Sequence, residues 1–392
     1  MRHAADAEAG RLLRILLLRL GPVSARAEGR PEGLRVTTAH LNRIATAVPP
    51  HDIHAAFQHF AASLLQDDRE SALLFRRMTR RSGIEHRYSS LSPGAYAETG
   101  SVDGEGFYRR GNFPNTRVRM QRFEQDAPAL AQKAVEDLLP NGERDGITHL
   151  LITSCTGMSA PGLDFEIIDR CGLPKSTERT LIGFMGCYAA VNGLKLARHI
   201  VRSDPAARVL ALNVELCTLH LNETSNIEQI LTFLLFGDGC AASLITAEPT
   251  GAALDAFRAI RSPGTSDLMT WTIGDSGFDM TLSGQVPSEI QNALHAHADE
   301  ILDAWPRNSI DLWAVHPGGR TVLEAVERGL DLPSGSLADS REVLRSYGNM
   351  SSATVMFVLQ RMLRSASAGQ KGCAMSFGPG LVAETMTFHI AG

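Results

Sequence analysis

A chain of 392 residues has room for two domain-sized cores or one large fused pair. Its 44% hydrophobic and 21% charged residues are ordinary for a soluble globular protein. With 38 Lys and Arg against 43 Asp and Glu the net charge is −5, so no global basic field points to nucleic acid. The six cysteines, Cys155, Cys171, Cys187, Cys217, Cys240 and Cys373, are too sparse for a disulfide-stapled scaffold and include no C-x-x-C pair. Zinc sites of the usual spacing are not expected, and reduced thiols suit a cytoplasmic protein.

Taken from the start, residues 1–35 hold an apolar stretch, Arg11 to Leu20, interrupted by Arg14 and Arg19. Two internal arginines do not suit an export signal, and the run is too short to span a bilayer. The expectation is a disordered extension, with a short amphipathic surface helix as the alternative. From Leu34 onward strand-like and helix-like segments alternate, the pattern of an α/β protein. Residues 146–155, 207–215 and 239–246 read as apolar strands, and residues 310–315 and 372–377 repeat the type. Near-continuous apolar runs suit central strands covered on both faces. Between them, residues 127–139, 192–203 and 351–365 carry apolar side chains at helical spacing. Two halves of similar plan are expected, 36–248 and 249–392, and no long linker separates them, which favours one fused unit.

Three segments carry candidate chemistry. In Gly183-Phe-Met-Gly-Cys187-Tyr-Ala-Ala a glycine pair leads into a cysteine followed by a small-residue helix. A thiol at a helix N-terminus feels the positive end of the macrodipole, which favours thiolate. Alone, Cys187 is more often a packed structural cysteine. In Leu312-Trp-Ala-Val-His316-Pro-Gly-Gly a histidine directly follows a strand, where α/β proteins present functional groups. A satisfied loop histidine is the alternative. Asn349, in Ser346-Tyr-Gly-Asn349-Met-Ser-Ser, opens a helix and alone reads as a cap or turn residue. Together, Cys, His and Asn form a set that can accept an acyl group and stabilise an oxyanion.

These blocks, with Leu235-Phe236-Gly-Asp-Gly, Thr153-Ser-Cys-Thr-Gly…Pro161-Gly-Leu-Asp and the ending Ser-Phe377-Gly-Pro-Gly-Leu-Val-Ala-Glu-Thr, closely resemble the chalcone and stilbene synthase family of type III polyketide synthases. They run in the family's order from about residue 74 to 386. The resemblance implies the five-layered αβαβα fold of thiolases with two similar halves, and a homodimer. It also implies an acyltransferase that needs no cofactor, metal or acyl carrier protein and takes malonyl-CoA and an acyl-CoA as substrates. Under it Cys187 is the nucleophile, His316 and Asn349 bind the thioester carbonyl, and Phe236 is the gatekeeper between CoA tunnel and cavity. An imidazole beside Cys187 would also hold it as thiolate. The arginine-rich run Phe75-Arg-Arg77-Met-Thr-Arg-Arg81, on an expected helix, matches the family's CoA-binding positions at Arg77 and Arg81 and departs at Leu74. By itself the run also reads as an exposed basic face.

The cavity positions implied are Cys155, Glu215, His220, Trp271, Met280 and Ser351. Several of them depart from the plant pattern, with Cys155, His220, Trp271 and Met280 in place of threonine, threonine, glycine and phenylalanine. In this they resemble bacterial members that make alkylresorcinols and alkylpyrones, which favours a fatty acyl starter. The alignment at His220 needs a one-residue gap. Three rivals use or retain the same residues: a ketoacyl-carrier-protein synthase, a papain-like hydrolase and a catalytically dead scaffold. The Phe-Gly-Pro-Gly-Leu ending and the Gly-Asn-Met-Ser-Ser block favour the polyketide branch.

Overall fold

Strand β1 (His40–Ala47) pairs antiparallel with β7 (Asp238–Thr246), and beyond β7 lie β6 (Val209–Leu216), β4 (His149–Ser154) and β5 (Glu178–Gly183). The computed structural model that shows this describes residues 37–95, 99–140, 142–303 and 305–392, so the expected extension at 1–35 lies outside the described residues. Every residue of β6 and β7 is buried, as their continuous apolar runs require of strands covered on both faces. The β6–β7 pair is antiparallel, while β4 runs parallel to both β6 and β5.

The second half repeats this plan. Strand β8 (Ala252–Arg261) is antiparallel to β13 (Val382–Ile390), β13 is antiparallel to β12 (Lys371–Gly378), and β12 is parallel to β11 (Leu312–Val315). Substituting β8, β13, β12 and β11 for β1, β7, β6 and β4 preserves both neighbour order and direction. The duplication lives in topology, not in letters. The half-sheets meet edge to edge between β1 and β8, through His40 opposite Ala253 and Leu41 opposite Ala252.

Three cores separate the layers. Helices α3 (Thr116–Leu138) and α4 (Leu163–Cys171) cover the outer face of the first half-sheet, packing Ala127, Leu130 and Ala134 with Ile152, Leu212 and Leu244. Helices α7 (Val286–Ile301) and α8 (Arg320–Gly329) cover the second, with Ile290, Leu294 and Val326 in a core with Trp313 and Met375. Between the half-sheets lie α5 (Ala189–Ser203) and α10 (Ala353–Leu363), whose side chains share a core with Leu151, Ala211, Ala314 and Ala374. Helix α10 is apolar nearly all round, the signature of a helix buried on every side. The order α–β–α–β–α is the thiolase-like fold.

Helix α1 (His54–Leu64) and the short pair β2 (His51–Asp52) and β3 (Tyr88–Ser89) precede and follow α2 (Arg69–Ser82). The Asp68 side chain caps α2 by accepting from the Glu70 and Ser71 N–H groups, which start the helix where the chain would otherwise leave donors unpaired. Helices α6 (Ile227–Phe233) and α9 (Ala338–Tyr347) follow in the chain, as does the antiparallel hairpin β9 (Met269–Gly274)–β10 (Gly277–Leu282). Among the described residues no helix is long and apolar enough to cross a membrane.

Candidate active site

Cys187 sits where β5 gives way to α5. After β5 the backbone turns through Phe184 at φ 57° and Gly186 at φ 69°, then enters a 3-10 turn, Gly186–Tyr188, that feeds the helix. A left-handed non-glycine residue such as Phe184 costs about 1 kcal/mol or more, so the surrounding packing must hold it. At Gly186 no side chain fits, because a Cβ there would drive into the Pro379 ring. The small residues Ala189, Ala190 and Gly193 then let α5 lie deep between the sheets.

His316 follows β11 directly, with its backbone N–H on the Met375 carbonyl at 2.8 Å. Its ring is buried, and among the described residues neither Nδ1 nor Nε2 has a hydrogen-bond partner. A buried polar side chain bare at both ring atoms is unusual and calls for a ligand or a catalytic role. Asn349 lies just before α10, and its Oδ1 accepts the Ser351 N–H at 2.9 Å. That bond fixes the amide so that Nδ2 is the free donor, reaching the Gly318 carbonyl only at 3.4 Å. Gly318 in turn flanks the His316 ring. Asn349 and Ser351 also stand beside the Cys187 sulfur, where both favour its thiolate. The three residues, distant in sequence, thus share one neighbourhood.

The protonation state differs from the expected thiolate–imidazolium pair. Burial pushes the Cys187 thiol up to about 12, outweighing the Ser351 and Asn349 side chains, and the Glu215 carboxyl pushes the same way. Burial alone holds His316 down to about 3. With no hydrogen bond to His316 and a largely apolar wall around it, burial outweighs the pull of the helix terminus on the sulfur. Burial thus disfavours both charged forms, the thiolate of Cys187 and the imidazolium of His316.

Cys187 opens onto a cavity lined also by Cys155, Phe236, Trp271, Met280 and Ser351. A second cavity shares Cys217, Phe233 and Phe236 with it and continues between Phe57, Leu91, Val102 and Leu221. Phe236 therefore stands where the two meet. Its backbone is pinned from both halves of the chain. Asn349 N–H donates to the Leu235 carbonyl at 2.8 Å, the Gly237 N–H donates to the Asn349 carbonyl at 3.0 Å, and the buried Arg87 Nη1 donates to the Phe236 carbonyl at 2.7 Å.

Two expected cavity residues stand behind the wall instead. Glu215 is buried and accepts from the Cys155 N–H, the Thr156 hydroxyl and the Ser352 hydroxyl at 3.0, 3.0 and 2.6 Å, and burial lifts its carboxyl to about 7. His220 donates from Nε2 to the Thr156 carbonyl at 2.7 Å and accepts the Phe278 N–H on Nδ1 at 3.0 Å. With both nitrogens engaged and burial holding it at about 3, it is a neutral strut. Reading the sequence missed this because the partners that absorb each polar group lie 58 to 137 positions away. It also missed Cys217 and Phe233, which line both cavities but sit in no distinctive pattern.

Arg77 and Arg81 lie exposed on α2 with Arg76 and Arg80, and among the described residues none of the four guanidinium groups has a carboxylate partner. Leu74, where the family pattern is basic, is 40% exposed on the same helix.

Two family models match nearly the whole chain: the N-terminal domain of chalcone and stilbene synthases over residues 28–249, and their C-terminal domain over residues 257–391. The chain belongs to the chalcone and stilbene synthase family. It is a type III polyketide synthase, an acyltransferase of a family that works on CoA thioesters without a cofactor or an acyl carrier protein. The chain is 34% identical to the alpha-pyrone synthesis polyketide synthase-like Pks18 of Mycobacterium tuberculosis over 292 residues, 70% of this chain and 73% of that protein. It is 30% identical to the bisdemethoxycurcumin synthase of Oryza sativa subsp. japonica, over 93% of this chain and 94% of the relative. Among solved structures, PKS-I of the brown alga Ectocarpus siliculosus superposes with a TM-score of 0.78 at 31% identity, covering 92% of this chain and all of that one. The type III synthase domain of Steely1 from Dictyostelium superposes at 0.82 and 25% identity, covering 91% and 100%.

Proposed function

We propose that this polyketide synthase loads a fatty acyl starter from its CoA thioester onto Cys187 and extends it with malonyl-CoA by repeated decarboxylative Claisen condensation. Cyclisation then yields alkylpyrones or alkylresorcinols. The observation that carries the reading is the buried His316 ring, bare at both nitrogens, next to the Asn349 amide and the Cys187 sulfur.

In the loading step Sγ adds to the starter carbonyl, the thiol proton passes to His316, and His316 returns it to the departing CoA sulfur. Loss of CO₂ from malonyl-CoA then generates the enolate of acetyl-CoA, so no strong base is needed. Asn349 Nδ2 and a ring N–H of His316 hold the developing oxyanion. The enolate carbon attacks the Cys187 thioester, the sulfur leaves, and the lengthened chain departs as a CoA ester ready to reload. Phe236 gates the passage, and the unpaired Arg77 and Arg81 meet the CoA phosphates, which suit the two-pronged guanidinium.

The starter assignment is supported by the cavity that continues past Phe236 and Cys217, walled mostly by aliphatic and aromatic side chains. Each buried CH₂ contributes about 0.8 kcal/mol, so such a wall favours long acyl chains steeply. The name of the mycobacterial relative, an alpha-pyrone synthesis enzyme, is consistent with the pyrone reading. A homodimer is supported by the outermost strand β5, where Leu181 is half exposed beside exposed Phe165 and Met158. An unpaired edge flanked by apolar side chains favours a partner. A cytoplasmic setting suits six free thiols.

The test is a panel of acyl-CoAs with malonyl-CoA, products read by mass spectrometry. Long fatty acyl-CoAs should exceed p-coumaroyl-CoA in kcat/KM and give alkylpyrones or alkylresorcinols. Preference for p-coumaroyl-CoA would overturn the starter assignment.

A further inference from the structure

Trp271 does more than line the cavity. Its indole Nε1–H donates to the Cys155 carbonyl at 2.7 Å. Cys155 is in fact engaged at every polar atom: its N–H donates to Glu215 Oε2 at 3.0 Å, and its sulfur accepts the Gly186 N–H at 2.9 Å. Gly186 is the residue immediately before Cys187. A continuous path of hydrogen bonds therefore leads from strand β9 through Cys155 to the turn that presents the nucleophile. A second path leads from β10. The Phe278 ring stacks on His220 with centroids 4.1 Å apart and lies 5.3 Å from the ring of Phe184, the strained residue of the same turn. Both paths start on the hairpin and end on the two left-handed residues that shape the bend.

A bend containing a left-handed phenylalanine relaxes unless its surroundings hold it. No helix cap does so here, since among the described residues the turn has no side-chain cap bond. The Cys155 sulfur is the side-chain atom that takes the Gly186 N–H. This role differs from that of a second nucleophile. Burial pushes the Cys155 thiol well up, so the sulfur stays protonated and serves as an acceptor.

We propose that the β9–β10 hairpin positions the nucleophile, with Trp271 and the Cys155 sulfur as positioning residues that set how Cys187 meets its substrates. The proposal rests on the reading of Cys187 as the acyl-carrying residue. It separates Trp271 into two functions: the ring shapes the cavity, and the N–H steadies the bend. Serine at 155 would keep an acceptor in place, and alanine would remove it. Phenylalanine at 271 would keep most of the ring's bulk and remove the donor.

The experiment compares the full-length protein with Cys155→Ala, Cys155→Ser and Trp271→Phe. Iodoacetamide alkylation of Cys187 is followed by peptide mass spectrometry, which needs no polyketide synthesis. The kcat and KM are measured with malonyl-CoA and one short and one long acyl-CoA, and folding is checked by thermal melting. Cys155→Ala and Trp271→Phe should each lower both kcat and the alkylation rate about tenfold, the scale of one lost hydrogen bond, while KM and chain-length preference hold. Cys155→Ser should recover to within about twofold of the parent. The proposal is overturned if kcat and alkylation do not move, if serine rescues no better than alanine, or if only chain-length preference changes. Undiminished synthesis by parent protein fully alkylated at Cys187 would overturn the nucleophile reading, and this proposal with it.

Discussion

His316 enters the site as a neutral ring, and that neutrality has a measurable signature. Its folded value of about 3 lies below its ordinary 6.5, so the unfolded chain takes up the proton first as pH falls. The stability it contributes is fully present above pH 6.5 and is lost progressively as pH drops from there toward 3. His316→Phe should therefore lose about 2 kcal/mol less than the parent between pH 7 and pH 5, by urea denaturation, at about 1.4 kcal/mol per pKa unit. Equal losses would mean that the ring is not held neutral. Cys187→Ala should abolish condensation and leave no acyl adduct by intact-protein mass spectrometry. An adduct on Cys155 in that variant would reassign the nucleophile. Asn349→Ala removes one proposed oxyanion donor and should depress malonyl-CoA decarboxylation about 10²–10³-fold with the fold intact. Near-normal decarboxylation would show that another group donates. The three residue types were legible in the sequence as a set. Their charge states were not, because these depend on burial and on which side chains reach each atom.

Two of these groups sit where a strand ends and a helix begins: Cys187 between β5 and α5, and His316 between β11 and α8. Asn349 lies instead in the short link between helices α9 and α10. Both central helices were visible as apolar, small-residue segments, and the central strands as unbroken apolar runs. The hairpin's part was not visible. Trp271 and His220 carry side chains that suggest a cavity, yet their polar atoms are spent on the backbone of Cys155 and Thr156. Periodicity along one segment cannot report a bond to another. The bend itself makes a sharp prediction. Gly186→Ala adds a Cβ against Pro379 at a left-handed position, and should cut turnover by about a hundredfold, since small misplacements of a reacting atom cost that much. Turnover close to the parent's would show that the bend tolerates displacement.

At the scale of the whole molecule the two halves share more than an edge. Helix α10 comes from the second half yet packs on β1 and β7 of the first as well as on β11 and β12 of its own. The outermost strand, β5, offers the proposed dimer surface. Leu181→Glu should place a charge on it and yield monomers by sedimentation velocity; dimers that persist would move the interface elsewhere. The duplicated plan was legible as alternating segments, while the seam between β1 and β8 was not, since two pairs of residues leave no pattern. One further consequence follows from the backbone bonds that tie Leu235 and Gly237 to Asn349 and the bond from Arg87 to Phe236. A loop so fastened cannot swing open without displacing Asn349, the proposed oxyanion donor. Passage past the proposed gate, Phe236, is then a matter of rotating one ring about its own side-chain torsions, a local motion far faster than the opening of a lid. On this reading, traffic past Phe236 and integrity of the catalytic centre are decoupled: the door can turn while the frame stays still.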